Sequence, residues 1–342
     1  IDVRVGPDGT LRSVVELATG RDLIPAGHRG GLLQLHVDAP SKWDAWELDA
    51  SYRLATTDVD GGTAELVDGV VHVVHPLPNG TVEQWVDIHP EGGGVRIRTR
   101  VDWHERHRLL KLAFPVAVHA QDAAYETQFG HVRRPLHANT SWDAARYEVC
   151  AHRWVHVGEP GTGAAIVNDG MYGHDATRTS DENGTITTVR QSLLRAPTFP
   201  DPDADQGVHE FTSLFAPAET TTDAARWGAI VGSPLRELTG AETVAPLVSS
   251  STEGIVVSAV KLAADGSGDL IVRVFEQRGA RTGGILHLDV PTSSLDVCDL
   301  VETAGRGRAE AAALTDDRTV DLDLRAFEVV TLRVRLQNPE QS

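Results

Sequence analysis

Glu126, Gln128, His131, Arg133, Arg134, His137, Asn139, Trp142, Asp143, His152 and Trp154 all fall within one stretch, Tyr125 to Val155. A core strand needs no such inventory, and a solvated loop rarely carries two tryptophans. Three kinds of chemistry fit these residue types. Acid–base work at a glycosidic or anomeric carbon needs paired carboxylates, or a His with a carboxylate. Glu126, Asp143, Asp205 and Glu210, with His131, His137 and His209, are the candidates; spacing in a β protein does not say which of them converge. Metal ligation would draw on Asp201, Asp203 and Asp205, or on the pairs His174-Asp175 and His209-Glu210. The aspartate run departs from a calcium loop, with Gln206 at the glycine position and Thr212 in place of the closing glutamate. Neither His pair has a spaced second histidine. Saccharide binding would stack sugar faces on tryptophan and bond hydroxyls to Asp, Asn, Arg and His. Trp142 stands between Asn139 and Asp143, and SKWDAWELD sets Trp43, Asp44 and Trp46 in a second such group. The competing role for an indole is to anchor a loop to a sheet. That role is the expectation for Trp43 and Trp46, and both roles stay open for Trp142.

The elements that must position these residues are strands. VRIRTRV (95–101) alternates apolar and arginine positions, the pattern of a strand with one face on a core and one in water. LLQLHV (32–37), VVHVV (70–74), TVEQWVDI (81–88), IVVSAVKL (255–262), LIVRVFE (270–276), GILHLDV (284–290) and EVVTLRVRL (328–336) continue the series. Asp60-Gly61, Asn79-Gly80, Asn183-Gly184 and Asp265-Gly266 supply the turns between them. Helical periodicity is nearly absent; TTTDAARWGAIV (220–231) has room for one short turn. Such spacing predicts antiparallel sandwiches. GSPLRELTGAETV (232–244) reads as a linker, so a large β unit over residues 1–235 and a compact sandwich over 236–342 are expected. Two long irregular segments interrupt the first unit: the opening stretch and LLRAPTFPDPDADQGVHEF (193–211). Their aromatic, His and Arg content points to function over disorder.

Composition narrows the classes. The chain has 342 residues, 41% hydrophobic and 23% charged, with a net charge of -18. That sign is wrong for neutralising phosphates, so nucleic acid is not an expected partner. No apolar run approaches a membrane span. IDVRVGPDGT lacks the features of a signal peptide, carries no initiator Met and opens inside a strand pattern, so a piece of a longer polypeptide is expected. Cys150 and Cys298 form no paired motif, which predicts two free thiols in a reducing compartment.

WDAWELD (43–49), VDWHERHRLLKLAFPV (101–116), ETQFGHVRRPLHANTSWDAARYEVCAHRWV (126–155), VNDGMYGHD (167–175), SLLRAPTFPDPDADQGVHEF (192–211) and DLDLRAFEVVTLRV (321–334) together resemble the C-terminal β region of family 38 α-mannosidases, in its vacuolar, cytosolic and bacterial branch. The resemblance runs in the family's order along nearly the whole chain. It implies an all-β fold, a galactose-mutarotase-like supersandwich followed by a smaller antiparallel β-sandwich. Family members are retaining, metal-dependent α-mannosidases. Their zinc or other divalent ion, their nucleophile and their general acid belong to an N-terminal barrel that matches nothing here. The resemblance therefore implies no catalytic residue and no metal ligand in this chain, and no activity from it alone. It assigns substrate contacts to two loops, with His131, Asn139, Trp142 and Asp143 on one and Asp205, Gln206, His209 and Glu210 on the other. His131, Trp142 and Asp143 are then expected on one exposed face with Gln206 and His209. The implied partners are a mannoside substrate and the N-terminal catalytic domain of the same protein, with a homo-oligomer also open, in the cytoplasm. A stand-alone carbohydrate-binding β module is the alternative, and a mutarotase-like epimerase, with a His acid and a Glu base in one groove, is a third.

Overall fold

The computed structural model describes residues 1–233, 239–240 and 245–337. Most of the linker read at 232–244 lies outside them. The chain divides into two units, Ile1–Thr127 with Val132–Leu235, and Gln128–His131 with Arg236–Ser342.

The first unit is built on two large antiparallel sheets. A nine-stranded sheet runs in the order Gly130–Pro135, Asp122–Thr127, Trp154–Glu159, Thr162–Asn168, Gly207–Pro217, Val95–Trp103, Gly80–Ile88, Val70–Leu77, Thr63–Val67. A six-stranded sheet runs Val149–Cys150, Gly173–Asp181, Gly184–Arg195, Arg108–Val116, Leu32–Val37, Thr56–Asp58. The reason is visible in strand Val95–Trp103. Val95, Ile97, Thr99, Val101 and Trp103 are buried, while Arg96, Arg98 and Arg100 face outward. Arg96 forms a two-pronged ion pair with Asp87 on the neighbouring strand, at 2.8 and 2.6 Å. Leu33, Leu35, Leu110, Leu112 and Phe114 of the six-stranded sheet share one core with Val82, Val86, Ile97, Val155 and Phe215 of the nine-stranded sheet. Phe114 and Phe215 stack at 5.4 Å across it. Each such side chain contributes about 1.5–3 kcal/mol on burial.

The described residues are all-β apart from short 3-10 turns and two α-helices, Ser141–Ala144 and Thr221–Gly232. The second helix is longer than the one short turn expected from the sequence. Thr220 and Asp223 cap it reciprocally, satisfying two otherwise orphaned amides. Ala224 and Ala225 then pack with Trp154, Ala165, Val167, Leu214 and Ala216, covering the nine-stranded sheet on the side away from the main core. Tertiary packing of small residues decides the helix here, and small residues give a weak periodic signal. No helix among the described residues is long and apolar enough to cross a membrane.

The second unit pairs two four-stranded antiparallel sheets. One runs Val248–Ser250, Thr282–Leu288, Thr319–Leu324, Ala312–Leu314, and the other Ile255–Leu262, Leu270–Glu276, Val329–Leu336, Thr292–Cys298. Val272, Val274, Leu286, Val320, Leu322, Leu324, Leu332 and Val334 form a separate core between them.

Candidate functional site

Asn139, Trp142 and Asp143 lie on the loop after strand Gly130–Pro135, where Thr140 starts the short helix Ser141–Ala144. The Thr140 hydroxyl oxygen accepts from the Asp143 amide at 3.1 Å, and the Asp143 carboxylate accepts from the Thr140 amide at 3.2 Å. His137 Nδ1 lies 3.5 Å from the same carboxylate. Asp143 is thus spent on shaping the loop, and its effect is to hold Trp142 outward, 77% exposed. Asn139 is exposed beside it.

Asp205, Gln206, His209 and Glu210 sit where the second loop enters strand Gly207–Pro217. Asp205 takes a left-handed φ of 58°. Gln206 Nε2 donates to the Glu105 carbonyl at 2.8 Å, and His209 Nε2 donates to the Asp205 carbonyl at 2.8 Å. Glu210 is exposed, with Arg100 at 4.0 Å. Among the described residues no hydrogen bond, ion pair or ring contact joins the 139–143 group to the 205–210 group.

His131 departs from the exposed face expected for it. Only 9% of it is accessible; it belongs to the second unit, and its ring stands edge-on to Phe327 at 5.2 Å. Its imidazole is packed against an aromatic ring and does not stand on an exposed face. Glu126 is likewise taken up, by Arg153 at 3.0 Å and by the Arg153 amide at 2.8 Å. Trp43 and Trp46 correct the expectation in the other direction. They are 56% and 66% exposed, and with Phe199 they form a triangle of rings 6.1–6.3 Å apart. Their loop is anchored by polar groups instead. Asp44 accepts from the Thr198 amide at 2.8 Å, and Arg195 bonds the carbonyls of Asp44 and Glu47 at 2.8 and 2.7 Å.

The densest polar arrangement in the first unit was not recognised as a group from sequence, which singled out only its Asp175, as half of the pair with His174. Lys111 is fully buried in strand Arg108–Val116 and donates to Asp175 at 2.7 Å, to the Tyr52 hydroxyl at 3.1 Å, and to Glu148. Arg190 reaches the other Asp175 oxygen at 2.8 Å and Gln34 at 3.0 Å. Register explains the convergence. Lys111 pairs with Gln34, and Arg190 pairs with Asp175 and Ala113, so these side chains share the face of the six-stranded sheet opposite the core. Burial would raise the Asp175 carboxyl, but Lys111 and Arg190 outweigh it and hold the pKa low. For Glu148 burial wins over the pull of Lys111, with Asp175 adding to it, and the pKa is raised. Burial also raises the Tyr52 phenol, reinforced by Asp175 and Glu148. His36, beside Tyr52, is lowered to about 4, first by burial and then by Lys111. The one signal available in sequence is a lysine inside the apolar run RLLKLAFPV, which requires a buried anion.

The glycosyl hydrolases family 38 C-terminal domain matches residues 1–203, and the glycosyl hydrolases family 38 C-terminal beta sandwich domain matches residues 254–332. Human alpha-mannosidase 2C1 is 36% identical over 99% of this chain and 33% of its own length. Alpha-mannosidase G of Dictyostelium discoideum is 30% identical over 97% of this chain and 32% of its own. The chain thus spans about a third of the length of these curated relatives. In fold, an alpha-mannosidase from Enterococcus faecalis V583 superposes with a TM-score of 0.73 at 16% identity, over 97% of this chain and 41% of that one.

Proposed function

The chain belongs to glycosyl hydrolase family 38, in its C-terminal region, and from that premise we propose that it is the C-terminal portion of a retaining, metal-dependent α-mannosidase acting on terminal α-mannosides in the cytoplasm. The observation that carries the reading is the alignment of 99% of this chain with one third of an alpha-mannosidase at 36% identity. The remaining two thirds of such a protein would hold the nucleophile, the general acid and the divalent ion. Among the described residues no three His, Cys, Asp or Glu side chains are grouped to hold an ion.

The part assigned to this chain is positional. Trp142, with Asn139 beside it, offers an exposed indole to a sugar face, and the cap formed by Thr140 and Asp143 fixes its presentation. Glu210 and Asp205 offer carboxylates at the edge of the second loop. These groups would line sugar subsites and orient substrate without touching the reacting atoms. The large sheets would scaffold the catalytic portion. A second reading, a free-standing carbohydrate-binding module, draws on the exposed tryptophans alone.

Hydrolysis of an aryl α-mannoside separates them. The polypeptide extended upstream is expected to turn over the substrate with added zinc or another divalent ion, and residues 1–342 alone are expected not to. Turnover by this chain alone, or an inactive extended polypeptide, would overturn the proposal. In the active protein, Trp142→Ala is expected to raise KM about tenfold or more, the scale on which hot-spot aromatics act in binding.

A further inference from the structure

The polar face of the six-stranded sheet carries two adjoining cavities. One, of about 350 Å³, is lined by Gln34, His36, Tyr52, Asp175, Thr177 and Arg190, among others. The next, of about 270 Å³, shares Gln34 and Arg190 with it and extends past Arg29, Asp58 and Thr188. Such volumes are at the scale of small-molecule sites. The rows that build this groove follow from the period-two pattern of Leu32–Val37, Arg108–Val116, Gly173–Asp181 and Gly184–Arg195; the other faces of the first two strands are apolar and lie on the core.

Its chemistry is specific. The charges along the groove are already matched. Asp175 is held by Lys111 and Arg190, and Asp58 by Arg29 at 2.7 Å, with Arg29 also meeting Asp60. Among the described charged residues that line it, only Arg53 forms no ion pair. A groove balanced in this way selects neither anions nor cations. It does hold a buried polar atom with no partner. His36 is 3% exposed, its Nδ1 shares a 2.8 Å hydrogen bond with Thr56 Oγ1, and its Nε2 has none. An unpaired buried polar atom costs roughly 1–3 kcal/mol, a cost that a ligand hydroxyl reaching it would remove. A neutral imidazole nitrogen, hydroxyls of Thr177 and Thr179, and amide and guanidinium groups already fixed by neighbours match a ligand rich in hydroxyls, each of which both donates and accepts.

We propose that this groove is a saccharide-binding site for a neutral sugar of one to two hexose units, with His36 Nε2 bonding a hydroxyl of the unit in the larger cavity. The site goes beyond the mannosidase reading and does not depend on it, because its readout is binding by this chain and not hydrolysis.

The test is titration of the 342-residue chain by calorimetry or protein-observed NMR. Probes are mannose, methyl α-mannoside, glucose, mannobiose, inorganic phosphate and citrate. Saturable binding of a neutral sugar is expected, with the disaccharide tighter than its monosaccharide. Response to the free sugar alone marks a free hexose as the ligand; response to the glycoside as well marks the end of a glycan. His36→Ala is expected to weaken binding about tenfold, the scale of one buried hydrogen bond. Thr179→Trp, at an exposed rim position that tolerates bulk, is expected to abolish it with an unchanged melting temperature. Binding of phosphate or citrate alone, no binding of any neutral sugar, or sugar binding that both groove variants leave intact would overturn the proposal.

Discussion

Lys111 shows how much hangs on one side chain. It is fully buried, and the carboxylates of Glu148 and Asp175 converge on it. Removing one partner of a buried pair leaves an uncompensated charge, at about 3–5 kcal/mol. Lys111→Met is therefore expected to destabilise the chain by that amount in denaturant unfolding, and adding Glu148→Gln is expected to recover part of it. His174 gives a pH prediction. It is buried, bonded to Tyr172 and near Asn168, and burial lowers its pKa to about 4; His36 behaves alike. Both are neutral in the folded chain below pH 6.5, where the unfolded chain takes up protons, so stability falls as pH drops from about 6.5 to 4. Each contributes on the order of 3 kcal/mol across that window. Glu148, with its raised pKa, works in the opposite direction as it takes up a proton. Thermal melts across this range are expected to show a net loss toward acid, with a shallower slope in His174→Gln. Sequence offered only the isolated lysine and the pair His174-Asp175, without their connection, because the members of this network are far apart in the chain; Tyr52 and Asp175 are 123 positions apart. The same limit hid the fate of His131, whose ring neighbour Phe327 comes from the far end of the chain.

At the scale of elements the strands were the legible part. Period-two alternation located Leu32–Val37, Ile255–Leu262 and Leu270–Glu276 at the bounds observed, since a half-buried strand writes its two faces directly into residue order. Three of the turn dipeptides close hairpins, at Gly80, Gly184 and Gly266, whereas Asp60-Gly61 links strands of different sheets; all four glycines take positive φ. Helix Thr221–Gly232 was under-read because its buried face is Ala and Gly. Gly228 explains the choice of residue: a Cβ there would stand 2.6 Å from Trp154 Cδ1. Gly→Ala in a helix gains about 1 kcal/mol of propensity, but overpacking against a buried indole costs about 1–3 kcal/mol. Gly228→Ala is therefore expected to lower stability despite the better helix former. Thr220→Ala, which removes the cap, is expected to cost about 1 kcal/mol. Urea midpoints of the two variants check both signs.

At the scale of the molecule, each unit has a core of its own. Residues 245–337 form a sandwich well above the size at which small domains fold alone, and a polypeptide of residues 236–342 is expected to give a β-type spectrum and one cooperative melt. A broad, non-cooperative melt would show that its core is insufficient. The loops that bear candidate contacts were legible by residue type, since Trp142 and Glu210 do stand in solvent. Which loop residues are spent on their own backbone was not, because a capping carboxylate such as Asp143 and a ligand-binding one look alike in a string of letters.

The triangle of Trp43, Trp46 and Phe199 has an optical consequence. Two solvent-facing indoles held edge-on at 6.1 Å should couple as excitons and emit toward the red, so the chain carries a native reporter of that corner of its surface. Any body that settles there would shift the emission blue, whereas a sugar taken into the sheet groove would leave the spectrum still.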